Sequence, residues 1–212
     1  KATSNICTAQ VLLANIAGFY ACYHGPSGLT AQAERVHHLA SRFHQGIQAK
    51  GNMVNQTFFD TVSVRVSNAD AIVSQALKSG FNIWKANATT VSVSFDEASN
   101  DDELETLASV FGIELGEGGL TLPKQSRRQT DFMTQEAFNK HHSETKMMRY
   151  LRKLSDRDLA LDRAMIPLGS CTMKLNAASE MAPITWTEFA NIHPFAPHNQ
   201  RLGYQEMIQN LN

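Results

Sequence analysis

Eighteen consecutive residues, Ile6 to Tyr23, carry no charge. A segment of that length and polarity has to be covered by something. It is close to the length of a membrane-spanning helix, but it contains Thr8, Gln10 and Asn15. Unpaired amides and hydroxyls are costly in hydrocarbon. No run of Lys or Arg flanks it, as the orientation of a spanning segment would require. Small residues at Ala9, Ala14, Ala17, Gly18 and Ala21 suit close packing instead. The expectation is a helix buried between other protein layers, with no membrane partner. The segment also lacks the charged start and cleavage pattern of a signal peptide.

Charge narrows the partners. Lys plus Arg number 19 and Asp plus Glu 20, a net charge of −1. That balance excludes a broad basic footprint, and no basic residues interleave the aromatic ones, so nucleic acid is not an expected partner. A hydrophobic share of 42% against 18% charged excludes intrinsic disorder. The 212 residues allow one domain, or one plus an appendage. Three cysteines, Cys7, Cys22 and Cys171, form no CxxC pair and favour a reducing compartment: the cytoplasm, or the mitochondrial matrix in a eukaryote. The chain opens at Lys1 and closes within a helix-like pattern, and so reads as part of something longer.

Periodicity predicts the elements. A first helix stops at Gly25-Pro26, and Thr30 caps a second whose stripe is Ala33, Val36, Ala40, Phe43 and Ile47. Val62, Val64 and Val66 alternate as a half-buried strand, as do Val91, Val93 and Phe95; Phe81 to Trp84 forms a brief strand. Ser67 or Asn68 caps a helix burying Ala69, Ile72, Val73, Ala76 and Leu77. Asn100 or Asp101 starts another, with Leu104, Leu107, Ala108 and Phe111 inward and Gly112 at its end. The fold class is therefore α+β, a small, mostly antiparallel sheet with helices on one face. Gly116, Gly118, Gly119 and Pro123 mark a linker. Beyond it Ser143 caps a charged helix, and residues 164–200, with four prolines, form a winding tail.

Few residues have the spacing of a site. His37, His38 and His44 lie on one helix at separations that suit no shared metal, and are expected on a solvated face. His141-His142 at a helix start is either an anion-facing pair or the end of a loop. Gly169-Ser170-Cys171-Thr172-Met173-Lys174 is neither a phosphate loop nor an SxxK motif. It is a turn able to present a hydroxyl, a thiol and backbone N–H groups.

Longer blocks carry a resemblance. Lys1-Ala2-Thr3-Ser4-Asn5-Ile6-Cys7-Thr8-Ala9-Gln10 with Tyr23-His24-Gly25-Pro26 forms the first. His141-His142-Ser143-Glu144-Thr145 with Met148-Arg149-Tyr150 forms the second. Met165 to Asn176, extended by Pro183-Ile184-Thr185-Trp186, Glu188-Phe189 and His193-Pro194-Phe195, forms the third. In this order they resemble the P-protein family of the glycine cleavage system. Thr187 departs from the pattern, where proline is more typical.

The resemblance implies an internal section of a pyridoxal-phosphate enzyme with the aspartate-aminotransferase-like α/β architecture. It implies two homologous halves: residues 1–50 end the large domain of the first half, 51–125 are its small domain, and 126–212 are linker helices and the start of the second half. The Schiff-base lysine of the family follows a histidine, and no His-Lys dipeptide occurs here. The cofactor lysine is thus expected outside the chain, no cofactor is expected covalently bound to it, and the section alone is expected to be inactive. Implied partners are the rest of the P-protein, the lipoyl arm of the H-protein, glycine as substrate and a second copy of the parent as a homodimer. Ser170, Cys171 and Thr172 are implied near cofactor or substrate, with His142 beside them. Thr3, Ser4, Asn5 and Cys7 are implied at the interface between halves. No catalytic residue and no metal ligand is expected. The rival reading is a small ligand-binding or structural interaction module.

Overall fold

The computed structural model describes residues 10–52, 55–157 and 178–212. Residues 10–157 fall in one compact unit and 178–212 in another.

In the first unit, α1 (Gln10–Ala49) runs on through Gly25 as two arms, 10–24 and 26–49. Gly25 breaks the helical backbone with φ 63° and ψ −177°. Pro26 then restarts the helix, because its fixed φ suits the first turn and its missing N–H is not needed there. Thr30 is not the cap expected of it. It lies within the second arm, its Oγ1 donating to the Pro26 carbonyl at 2.9 Å. The second arm lays Val36, Leu39, Ala40, Phe43 and Ile47 into the core.

The sheet is antiparallel, with β3 (Thr90–Ser94) between β1 (Thr61–Arg65) and β2 (Trp84–Asn87). The outer strands are therefore parallel to each other, with α2 (Ala69–Lys78) connecting them and β3 inserted between, a split βαβ arrangement. Val62 pairs with Val93 and Val64 with Val91 on the buried face. On the opposite face Ser63 meets Ser92 at 2.9 Å and Thr61 meets Ser94 at 2.8 Å through their hydroxyls. The second strand lies slightly later than Phe81–Trp84, and its four residues are all exposed.

Asn68 caps α2 by accepting from the Ala71 N–H. Leu77, expected inward, is exposed, because it points away from the sheet on the last turn. Asn100 and Glu103 form a reciprocal capping box on α3 (Asp101–Phe111), and Gly112 closes it in the left-handed conformation. Leu104, Leu107 and Ala108 of α3 are buried.

Residues 113–123 are not a free connection. They run back along α1 as a strap. The Gly116 N–H donates to the Arg42 carbonyl at 3.1 Å. Gln45 pairs with Gly118, accepting from its N–H at 3.0 Å. A β-carbon at Gly46 would run into the Glu114 carbonyl, so the strap needs a glycine there. The chain continues through short turns at Lys124–Ser126 and Glu136–Phe138 to α4 (Glu144–Ser155), capped by Ser143.

The second unit is a winding segment. It contains α5 (Ala178–Met181), a turn at Ala182–Thr185, α6 (Thr187–Ala190) and α7 (Leu202–Leu211). The Tyr204 hydroxyl donates to the Phe189 carbonyl at 2.8 Å, and their rings meet edge to face.

Candidate functional site

The break in α1 gathers polar groups. A helix interrupted at Gly25 frees backbone carbonyls that need donors. One is the Tyr23 carbonyl, which His142 reaches with Nδ1 at 2.7 Å across 119 residues of sequence. The segment carrying His142 lies so close that a β-carbon on Gly25 would meet the imidazole ring and the Phe138 carbonyl. Next to it, the His141 ring stacks on Tyr150 at 3.9 Å, and Tyr150 meets Phe19 edge-on. Burial pushes the His141 imidazole below its ordinary range, and the charges of His142, Lys153, Lys140 and Lys146 add to this.

A second group spans the break. The Tyr20 hydroxyl donates to Gln32 Oε1 at 2.6 Å, and Gln32 Nε2 lies 3.0 Å from His24 Nδ1. An amide NH₂ can only donate, so the His24 Nδ1 accepts and the proton of a neutral ring sits on Nε2. The Tyr20 and His24 rings also meet at a tilt, 4.3 Å apart. This relay ties the first arm to the second.

Beside the break lies a cleft of about 800 Å³. Pro26, Thr30, Ala33, His37 and Phe59 line one side, and Leu120, Leu122 and residues 126–134 the other. Several of its polar groups hold its walls. Arg127 donates to the Leu122 carbonyl at 2.8 Å and the Leu120 carbonyl at 3.1 Å. Arg128 lies over the Phe132 ring. Met133 adopts a left-handed φ of 52°, held by Asn139, whose amide donates to the Met133 and Gln135 carbonyls. Among the described residues no lysine lines the cleft.

The histidines of the second arm correct the solvated-face expectation. Only His38 is exposed; His37 is 1% and His44 7% exposed. Their separation of seven is two helical turns, so both look inward. His37 is fully used: Nδ1 is 2.7 Å from the Phe59 carbonyl, and Nε2 accepts from the Thr121 N–H at 3.0 Å. It welds the strap and the entry to β1 onto α1. His44 packs against Phe58 at 4.3 Å, and neither ring nitrogen has a hydrogen-bond partner. Burial lowers its proton affinity. The Asn55 backbone opposes this without reaching hydrogen-bonding geometry, and His37 reinforces it.

This arrangement makes His44 a liability in acid. An unfolded histidine binds its proton near pH 6.5 and the folded one only below that. Between the two values the unfolded chain holds more protons, so stability is complete above about pH 6.5 and falls as the pH drops through the window. His44→Leu removes two unpartnered buried nitrogens. It is expected to raise stability by about 1 kcal/mol at pH 7.5 and by more at pH 5. Urea unfolding at the two pH values tests this; parallel losses in both proteins would refute it.

Of the residues expected at a site, Thr3, Ser4, Asn5, Cys7, Ser170, Cys171 and Thr172 lie outside the described residues. His142 is described, and its Nδ1 is committed to the helix break. Sequence reading passed over Tyr20, His24 and Gln32. Their i, i+4 and i+12 spacing was visible, but only across Gly25-Pro26 do they converge. Cys22 is a buried free thiol whose proton affinity burial raises, which disfavours a nucleophilic role. Among the described residues no cluster suits a metal ion, and no helix is long and apolar enough to cross a membrane.

Comparison with known proteins supplies what this geometry lacks. The family model described as glycine cleavage system P-protein matches residues 1–111. Over its whole length the chain is 54% identical to glycine dehydrogenase (decarboxylating) of Brucella melitensis biotype 1. It is 53% identical to the proteins of that name from Brucella canis and Brucella abortus. It spans 23% of the length of each of these relatives.

Proposed function

We propose that this chain, which belongs to the glycine cleavage system P-protein family, is an internal section of an enzyme that decarboxylates glycine. The parent would pass the aminomethyl group to the lipoyl arm of the H-protein and work as a homodimer of aspartate-aminotransferase-like subunits. The observation that carries this reading is 54% identity over an alignment that covers the whole chain, the flanking blocks included.

Pyridoxal phosphate in the parent would supply an electron sink for the carbanion left when carbon dioxide departs. The described residues do not by themselves fit that group. Among the described residues no lysine lines the cleft, and Arg127 there is bound to two carbonyls. No step of the reaction is therefore assigned to them. Among them, the break in α1 seats the His142 segment.

Ser170, Cys171 and Thr172 remain the residues proposed near cofactor or substrate, as donors to anionic groups. Thr3, Ser4, Asn5 and Cys7 remain those proposed between the halves. In the full-length P-protein, Ser170→Ala with Thr172→Ala is expected to lower kcat/KM for glycine about tenfold or more, roughly 1.4 kcal/mol of transition-state binding. Unchanged decarboxylation would remove both residues from the site.

A further inference from the structure

We infer, resting on the proposed function, that Gln32 is a positioning residue of the full-length enzyme: it grips Tyr20 and His24 across the break in α1 and so fixes the backbone on which His142 seats. His142 is the one described residue among those proposed beside cofactor or substrate.

The break removes the backbone's own control of the angle between the two arms. Gly25 leaves helical geometry, and Pro26 has no N–H to return to the Cys22 carbonyl one turn back. Side chains must then set the angle. Gln32 spends both ends of its amide on the first arm: Oε1 accepts from the Tyr20 hydroxyl at 2.6 Å, and Nε2 lies 3.0 Å from His24 Nδ1. Tyr20 and His24 stand one turn apart, on one face of that arm. Among the described residues no other side-chain hydrogen bond joins the two arms. A β-carbon on Gly28 would lie 3.1 Å from the His24 Cβ, so a small residue there lets His24 lie close to the second arm. The Tyr23 ring meets His24 edge to face at 5.2 Å.

Each residue that Gln32 grips has a chain neighbour that carries the His142 segment. Beside His24, the Tyr23 carbonyl accepts from His142 Nδ1 at 2.7 Å. Beside Tyr20, the Phe19 ring meets Tyr150 edge-on at 6.4 Å. A carbonyl can only accept, so the proton of a neutral His142 ring sits on Nδ1 and Nε2 keeps a lone pair. The direction of that lone pair follows the Tyr23 carbonyl, and the carbonyl follows the arm. A misplacement of about 1 Å that starts far from the chemistry is enough to slow a reaction.

The test measures glycine decarboxylation by the full-length P-protein. Gln32→Met keeps the side chain's length and suits a helix but loses both bonds, and it is expected to lower kcat/KM about fivefold. Gln32→Glu can accept from the Tyr20 hydroxyl and from His24 once that ring carries its proton on Nδ1, so it should recover to within about twofold of the unmodified protein. In a His142→Ala background Gln32→Met should lower activity no further, since both changes act through one group. Normal activity in Gln32→Met, no recovery in Gln32→Glu, or an undiminished loss beside His142→Ala would each overturn the assignment. Should Gln32→Met fail to fold, Tyr20→Phe decides: it removes one bond and should lower kcat/KM about twofold, a loss that vanishes beside His142→Ala. A loss that persists there would overturn the assignment. Hydrogen exchange of the peptide spanning residues 138–150 reads the same link without the reaction. It is expected to be about tenfold faster in Gln32→Met, and unchanged exchange would overturn the grip. An unmodified protein without decarboxylation would sink the proposed function and leave hydrogen exchange to judge the grip.

Discussion

Phe43→Ala is expected to cost about 3–5 kcal/mol, the range for truncating a fully buried aromatic side chain. Phe43 is 0% exposed at the centre of the second arm of α1. Its ring meets Phe111 edge to face at 5.2 Å and Phe95 at a tilt at 5.8 Å. It shares its cluster with Val62, Val64, Val91, Val93 and Leu104. One residue thus joins the helix to both long strands and to α3. Neither the strands nor the capped end of α3 can follow the lost ring inward without breaking ladder hydrogen bonds. The void should therefore persist, and the cost should lie high in the range. Phe43→Leu keeps most of the volume and should cost markedly less. Urea unfolding measures both. A loss below about 1 kcal/mol for the alanine variant would mean that α1 is not part of this core.

The same residues show what was legible in the sequence. Valines alternating with Ser63 and Ser92 announced β1 and β3, because each strand has one covered face and a period of two. Asn100 or Asp101 announced the start of α3, since an N-cap is a local device needing no tertiary partner; the structure adds Glu103, which completes a capping box with Asn100. The second strand was harder. Trp84 to Asn87 lie at an open edge with every residue exposed, so no alternation marks them. His37 and His44 were misjudged because their burial depends on groups far away in sequence. Phe59 is 22 residues on and Thr121 is 84, and nothing in the spacing of the histidines points to either. The strap hid for the same reason: its glycines look like a flexible linker until Gln45 and Arg42 are placed beside them. The candidate site was legible as motifs alone. Of its residues, only His142 acquires neighbours among those described.

Gly25→Ala is expected to destabilise the protein by about 3 kcal/mol, chiefly through backbone strain at an angle pair that L residues avoid. Gly25 has φ 63° with ψ −177°, and its position is buried. The new methyl group would also lie 2.7 Å from the Phe138 carbonyl and still closer to the His142 ring. Strain and collision act on different partners, which allows them to be separated. His142→Ala removes the ring and orphans the Tyr23 carbonyl, a loss of about 1 kcal/mol where that group stays wet. Combined with Gly25→Ala, it relieves the collision with the ring but neither the strain nor the contact with Phe138. The double variant should therefore lose less than the sum of the singles, by about 0.5 kcal/mol or more. Strict additivity would mean that His142 does not seat on the break. Because the block bearing His142 meets α1 at this contact and through Tyr150 beside it, the full-length enzyme offers a second measurement. Gly25→Ala there should reduce glycine decarboxylation at temperatures where the protein remains folded, with His142→Ala reducing it less. A P-protein variant with normal activity and a lowered melting point would confine the break to stability and separate it from the site.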